Sequence, residues 1–427
     1  MSEQISQSAL RKVRWRLIPF LFLLYIVAYL DRVNVGFAAL DMNRDLGFSA
    51  SVYGFGSSIF FLSYTLFEVP SNLILARVGV RIWIARIMFT WGAFATAMIF
   101  VNSVPTFYAL RFLLGIAEAG FFPGIILYLT HWFPARERAR AVGYFMTATA
   151  IAGVIGAPVS SALLQLHGSA GLHGWQWLFL LEGLPAMMLA PVVLIYMTER
   201  PSDAKWLTTD EREWLTREIE TEQRQTEHAH VTLGAALTSM RLWIVSVPYF
   251  CIVVAFYGIT FWLPQIVQGS SGLSSAMVVL LSAIPYIAAA IGMAYFGARS
   301  DRTGERRWHV AGPCLIGALG FVLTVFVPPT PAFALTTLSI AAFGIWGTLG
   351  PYWTMPTAFL RGTAAAGGIA LVNSIGNLGG FFGPSIVGWI REATGGFTAG
   401  LLTLAAILVV GAVIVLSVRT TPKTSTQ

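Results

Sequence analysis

The chain has 427 residues, 56% of them hydrophobic and only 11% charged, with a formal net charge of +7. Apolar segments of about twenty residues recur along its whole length, so the sequence reads as a polytopic helical membrane protein rather than a soluble enzyme. The positive charge does not indicate nucleic acid, because the basic residues sit in short loops between spans, and the lipid bilayer is the expected surroundings. The two cysteines, Cys251 and Cys314, lie in apolar helices without a CxxC pair or metal-ligand spacing, so neither a metal site nor a cofactor is expected.

The first predicted span, residues 17–39, follows a basic cluster of Arg11, Lys12, Arg14 and Arg16 and carries Tyr25, Tyr29, Asp31, Arg32 and Asn34. The basic start leads straight into a full-length span with no small-residue cleavage site, so no cleavable signal peptide is expected. Span two, residues 51–75, holds Tyr64 and Glu68; a tight turn with Arg77 and Arg81 leads to span three, residues 82–101. Span four, residues 105–129, contains two opposite charges, Arg111 and Glu118. Seven residues is two helical turns, which places them on nearly the same face about 10 Å apart along the axis. That is too far for a direct ion pair along one helix and suits two stations in one cavity; the alternative is that each pairs with a neighbouring helix to fix packing. Span five runs to about residue 165 and span six covers 177–197.

Residues 198–238 are charged and helix-friendly, and read as a solvated amphipathic linker between residues 1–197 and residues 239–427. Six further spans are predicted near 240–268, 274–298, 309–327, 333–355, 364–390 and 396–418, which makes twelve. Arg and Lys fill the tails and the loops after the even-numbered spans, while the opposite loops carry only Arg44 and Arg391, so both termini are expected in the cytoplasm. The halves also echo each other: Ala76-Arg-Val-Gly79-Val-Arg81 has a counterpart in Gly297-Ala-Arg-Ser-Asp301-Arg302-Thr-Gly304-Glu-Arg306-Arg307, and Gly156-Ala-Pro158 one in Gly383-Pro384. Parallel six-helix halves around a central path are a recurrent transporter architecture.

The intramembrane charges are unevenly shared. Asp31, Arg32, Glu68, Arg86, Arg111, Glu118 and Glu182 all fall in the first half, whereas spans seven to twelve offer neutral candidates: Tyr257, Gln265, Tyr286, Trp353, Asn373, Ser374 and Asn377. Arginine is permanently charged and its planar fork matches a carboxylate, so Arg32 and Arg111 are the expected anion anchors. Desolvation penalises a charged Glu in an apolar helix, which suits Glu118 to gain and lose a proton; Asp31, beside Arg32, is expected to protonate less readily. Tyr29 and Tyr64 are suited to hydrogen-bond a substrate hydroxyl or carboxylate, or else are core tyrosines. Glu68 and Arg86 lie toward the cytoplasmic ends of their spans and read as structural or gating partners; His131, His167, His173 and His309 read as solvated.

The turn Asp301-Arg302-x-Gly304-x-Arg306-Arg307 resembles the cytoplasmic loop signature of the major facilitator superfamily. Tyr29-Leu-Asp31-Arg32-Val-Asn34, Phe67-Glu68-Val-Pro-Ser-Asn72, Arg111-x6-Glu118-Ala-Gly-Phe-Phe-Pro and Trp132-Phe-Pro-Ala-Arg136 resemble its anion:cation symporter branch, which includes proton-coupled carriers of galactonate, tartrate, phthalate and 4-hydroxyphenylacetate. The resemblance implies an all-α fold of two pseudo-symmetric six-helix bundles, with Glu118 and Asp31 in proton coupling. It places Trp353 and Asn373 at pocket positions and Thr149 where sugar-acid carriers have a longer polar side chain. It assigns Arg77, Arg81, Asp301, Arg302 and Arg306 to cytoplasmic gating, although Ala76 stands where the signature usually has an acidic residue.

The leading reading is proton-coupled symport of a small organic anion by a monomer in a bacterial inner membrane. Against it stand an exporter or exchanger of an organic solute, which two buried arginines disfavour for cations, and a transporter-like sensor, for which no signalling domain is appended. No nucleophile–base pair or phosphate-cradling loop suggests an enzyme.

Overall fold

The computed structural model describes residues 2–134, 137–138, 141, 145–226, 240–359 and 364–417. Ala135 and Arg136 of the Trp132 motif, the end of the linker from residue 227 and the tail from residue 418 lie outside the described residues.

Hydropathy dictates helices, because in a bilayer every backbone polar group must be satisfied within its own segment. The first half comprises α1 (Ser2–Leu46), α2 (Ala50–Val78), α3 (Val80–Ala97), α4 (Val104–Glu118), α5 (Phe121–Trp132), α6 (Ala148–Leu164) and α7 (Gly174–Tyr196). After a polar helix α8 (Thr209–Thr226) come α9 (Met240–Gly269), α10 (Ser275–Leu281), α11 (Ala283–Thr303), α12 (Trp308–Phe326), α13 (Pro331–Gly347), α14 (Leu349–Phe359), α15 (Ala364–Thr394) and α16 (Thr398–Ser417). Taking α4 with α5, α10 with α11 and α13 with α14 as single crossings, ten segments are long and apolar enough to span a membrane among the described residues. The shorter apolar α6 and the 31-residue α15 complete the twelve.

In the first half α3 packs on α7 and α4, α2 on α4, and α1 on α6 and α7. In the second, α9 packs on α15 and α16, and α13 on α11 and α12. The halves meet where α2 lies along α15, α6 along α11 and α1 along α9.

The predicted first span covered residues 17–39, but α1 continues outward in both directions. Its first turns leave the bilayer and meet α8: Ser8 Oγ and Lys12 Nζ donate to Glu211 at 2.7 and 2.8 Å. Burial opposes the charge on Glu211, yet Lys12, the Thr208 backbone N–H and Ser8 hold its carboxyl down at about 2, so it is ionised at any physiological pH. Leu215 and Ile219 of α8 are buried. The linker helix therefore docks on the bundle instead of standing free in water.

Span four is not one helix. Gly120 adopts a left-handed φ of 90°, which a side chain would strain. The chain breaks there between α4 and α5, and Ser71 Oγ of α2 donates to the Ala119 carbonyl at 2.6 Å. Glu118 is left as the last residue of α4.

Hydrogen bonds between the halves concentrate at the end away from the termini. Glu392 accepts from Ser49 Oγ and the Ser51 N–H at 2.7 Å each, across the start of α2. Tyr53 Oη donates to the Phe261 carbonyl at 2.8 Å, and Ser275 Oγ to Asp41 at 2.8 Å. At Gly54 the α2 backbone runs so close to α15 that an added Cβ would lie 2.7 Å from the Pro384 carbonyl oxygen. Gly54→Leu is expected to wedge this end apart, since both facing groups are backbone and cannot swing aside. Spin labels at Arg44 and Ala393 test it: a lengthened distance is expected, and a distribution identical to wild type would refute the close-approach account.

Candidate functional site

A cavity of about 70 Å³ lies between the halves. From the first half it is lined by Tyr25, Tyr29, Arg32, Tyr64 and Thr149, and from the second by Tyr249, Tyr257, Trp353, Asn373 and Asn377. A wider groove of about 700 Å³ between α11 and α13, lined by Ile284, Leu335, Ile340 and Phe343 with the hydroxyls of Thr336 and Ser339, carries no charged side chain, and both hydroxyls donate to carbonyls of their own helix.

Tyr25, Tyr29 and Arg32 follow one another at four and three residues on α1, so helical periodicity aims all three inward. Arg32 is the centre. Its guanidinium donates to Glu118 Oε1 from Nη2 and to Tyr257 Oη, on α9, from Nη1 at 3.3 Å. The rings of Phe60 and Tyr64 both lie 5.5 Å from its Cζ, within cation–π reach. Glu118 sits at the C-terminal end of α4, where the helix dipole is unfavourable to a carboxylate, and Arg32 supplies the compensating charge. Tyr29 is 2% exposed and its hydroxyl has no hydrogen-bond partner among the described residues.

Arg111 and Glu118 do share a face of α4, but their partners differ. Arg111 is 1% exposed, and it donates to the carbonyls of Gly56 at 3.3 Å and Ser57 at 3.0 Å, on α2. It does not line the cavity, and among the described residues no carboxylate is within ion-pair distance of it. Phe60 separates it from Arg32, with its ring 5.1 Å from the Arg111 Cζ. Asp31 is Arg32's neighbour in sequence only: it points about 100° away around α1, and Asn34 Nδ2 donates to its Oδ1 at 3.2 Å.

Thr149 lines the cavity, but its hydroxyl donates to the Met146 carbonyl at 3.0 Å. Asn373 Nδ2 donates across the halves to Glu68 Oε1 at 3.2 Å, which joins a predicted pocket residue to a predicted gating one. The loop residues stand apart from the cavity: Arg77 and Arg302 are exposed, Arg306 pairs with Asp301 at 2.6 Å, and Glu199 accepts from the N–H groups of Val80 and Arg81 at 2.7 and 3.0 Å. Arg86 lies 3.8 Å over the Trp83 ring. Two histidines expected to be solvated have acidic partners, His173 with Asp45 at 2.8 Å and His309 with Glu305 at 3.0 Å.

Sequence reasoning missed Tyr249, whose ring stacks 4.7 Å from Tyr352 and meets Trp353 at 4.9 Å. Its spacing of eight residues from Tyr257 on α9 was the available signal. Tyr257→Phe removes the hydroxyl that bridges the halves, and a hydrogen bond to a charged group is worth about 1.5–3 kcal/mol. Melting temperature should therefore fall, and affinity for a ligand that meets the same hydroxyl should fall by roughly tenfold or more. Unchanged affinity would show the bridge to be idle.

Comparison with known proteins agrees with this architecture. The Major Facilitator Superfamily profile matches residues 21–384. A putative tartrate transporter of Agrobacterium vitis is 51% identical over 425 residues, which covers 99% of this chain and 98% of the relative. A quinolone resistance transporter of Acinetobacter baumannii is 40% identical over 96% of this chain and 94% of its own length. A crystal structure of a bacterial homologue of the human lysosomal transporter Spinster, inward-facing and occupied, shares the fold with a TM-score of 0.77 at 18% identity, covering 94% of this chain and 96% of that one. A multi-pass membrane transporter and not an enzyme, the chain belongs to the major facilitator superfamily.

Proposed function

We propose that the protein is a proton-coupled symporter that brings a small organic anion, a carboxylate such as a sugar acid, tartrate or an aromatic acid, across a bacterial inner membrane by alternating access. The observation that carries the reading is the Arg32–Glu118 pair inside a cavity lined from both halves. A carboxylate arriving there competes with Glu118 for one guanidinium fork, and protonation of Glu118 releases the fork to the substrate. Substrate and proton then enter together. Arg111, balanced by backbone carbonyls instead of a carboxylate, leaves a positive charge nearby that favours an anion. The unpartnered Tyr29 hydroxyl and the Asn373 amide supply the polar contacts that a substrate hydroxyl needs. The tartrate assignment of the Agrobacterium relatives supports the substrate class.

The second reading is export, which the name of the Acinetobacter relative favours. The clustering of basic residues at the termini end supports cytoplasmic termini, and the contacts at Ser49, Tyr53 and Glu392 then close the outer side. A cysteine at Ser202 should accordingly label only from the cytoplasm; labelling from outside would reverse the direction of transport argued here.

Glu118→Gln mimics the protonated carboxyl permanently. The variant should still bind the anion and exchange labelled for unlabelled substrate in liposomes, but lose accumulation driven by a pH gradient. Where Glu118 only holds helices together, both activities fall with melting temperature, because breaking a buried pair costs about 3–5 kcal/mol. Concentrative uptake by Glu118→Gln would sink the coupling role.

A further inference from the structure

Glu68 stands one helical turn beyond the cavity residue Tyr64 on α2 and is 3% exposed. It does not line the cavity itself, but Asn373 of α15 does, and Asn373 Nδ2 donates to Glu68 Oε1 at 3.2 Å. Glu68 Oε2 is buried without a partner among the described residues, so Asn373 is the group on which this carboxyl acts. The same bond is the one hydrogen bond of the Asn373 side chain among the described residues, and it leaves the amide oxygen Oδ1 uncommitted.

An amide has a donor end and an acceptor end, and their places depend on what each faces. Turning Asn373 over would set its oxygen against the Glu68 oxygen, two acceptors face to face in a buried place. Glu68 therefore fixes which end is held and which is left for a ligand. At Arg32 the chemistry is the reverse: the guanidinium donates, and Tyr257 Oη, which accepts from Arg32 at 3.3 Å, keeps its own hydrogen to give. The cavity thus has a donor-rich end that suits a carboxylate and a carbonyl acceptor that suits a hydroxyl. We propose that Glu68 is a positioning residue for substrate selection, holding Asn373 so that Oδ1 meets a hydroxyl of the substrate, and that the transported anion is accordingly a hydroxycarboxylate. Such selection presupposes the anion transport proposed above and narrows its substrate class. Glu68 and Asn373 belong to different halves, so the hydroxyl is read only while α2 and α15 are together.

Equilibrium binding to the purified full-length protein tests this without transport. Two ligand pairs are compared, tartrate with succinate and 4-hydroxyphenylacetate with phenylacetate, each differing only in hydroxyl groups. In the wild type the hydroxylated member of at least one pair should bind roughly three- to tenfold more tightly, the worth of one neutral hydrogen bond. Glu68→Gln keeps the size of the side chain but offers Asn373 either end of a second amide, so this preference should fall to within about twofold of unity. A preference that survives Glu68→Gln overturns the assignment, as does a wild type that binds both members of each pair equally. If the Glu68–Asn373 bond only latches the halves, both affinities shift together and their ratio stays, which refutes the selecting role. Asn373→Leu should lose the preference by itself, and adding Glu68→Gln should change the ratio no further; a further change would place the action of Glu68 elsewhere and overturn it. Should Glu68→Gln fail to fold, Asn373→Leu decides alone, and a ratio kept in that variant refutes the proposal. A wild type that binds none of the four carboxylates defeats the anion reading, and the selection falls with it.

Discussion

Everything in the first half is arranged around one buried ion pair, Arg32 with Glu118. Two charges taken out of water cost several kcal/mol each, and their attraction offsets this only with good geometry and further hydrogen bonds. The surroundings meet that demand. Tyr257 reaches across from α9, Phe60 and Tyr64 present ring faces to the guanidinium, and the break at Gly120 puts Glu118 at a helix end beside α1. The same geometry makes the pair exchangeable. Arg32 holds one carboxylate at a time in its fork, so whatever draws Glu118 away must bring a negative charge or a proton.

Helix α1 separates two kinds of polar chemistry. Tyr25, Tyr29 and Arg32 face the cavity, and Asp31 and Asn34 face α3, α6 and α7. A rotation of about 100° per residue is all that divides Asp31 from Arg32. A movement of α1 therefore changes the surroundings of both sets at once, which is a mechanical route for linking them. Its outward extension, tied to α8 by Lys12 and Glu211, limits such movement from the termini end.

The twelve spans were legible because length and apolarity alone decide whether a segment crosses a bilayer. The inward role of Arg32 and Glu118 was legible too, since a charge in such a segment is costly and must find a partner. Partner identity was not. Hydropathy reports burial, not rotation about a helix axis or the reach of a long side chain, so Arg111 was read as lining the cavity when it bonds the carbonyls of Gly56 and Ser57. Asp31 was placed under the influence of Arg32 by adjacency, although successive helical residues point in different directions. The break in span four was written in Glu118-Ala-Gly-Phe-Phe-Pro, but a glycine in an apolar helix is equally consistent with close packing. Arg391, assigned to a loop, lies in the last turn of α15, where it donates to Gln265 at 2.6 Å.

The second half contributes no charge to the cavity, and this asymmetry has a physical consequence. A cavity of about 70 Å³ is well below the roughly 300 Å³ at which small-molecule pockets begin, so an anion of several carbons requires the walls to part. Near the cavity the halves touch mainly through rings, as where Phe61 lies 4.2 Å from Tyr257 and Tyr29 lies 6.5 Å from Phe256. Such contacts are worth about 0.5–1.5 kcal/mol beyond area burial and tolerate sliding, unlike a desolvated ion pair across the same gap. Keeping both members of the ion pair in one half lets the halves separate without stranding a charge. The bonds that do cross at Arg32–Tyr257 and Asn373–Glu68 each have a neutral group on the second-half side. Breaking them leaves a tyrosine or an amide free to bind whatever enters, and the Arg32–Glu118 pair stays whole within its own half.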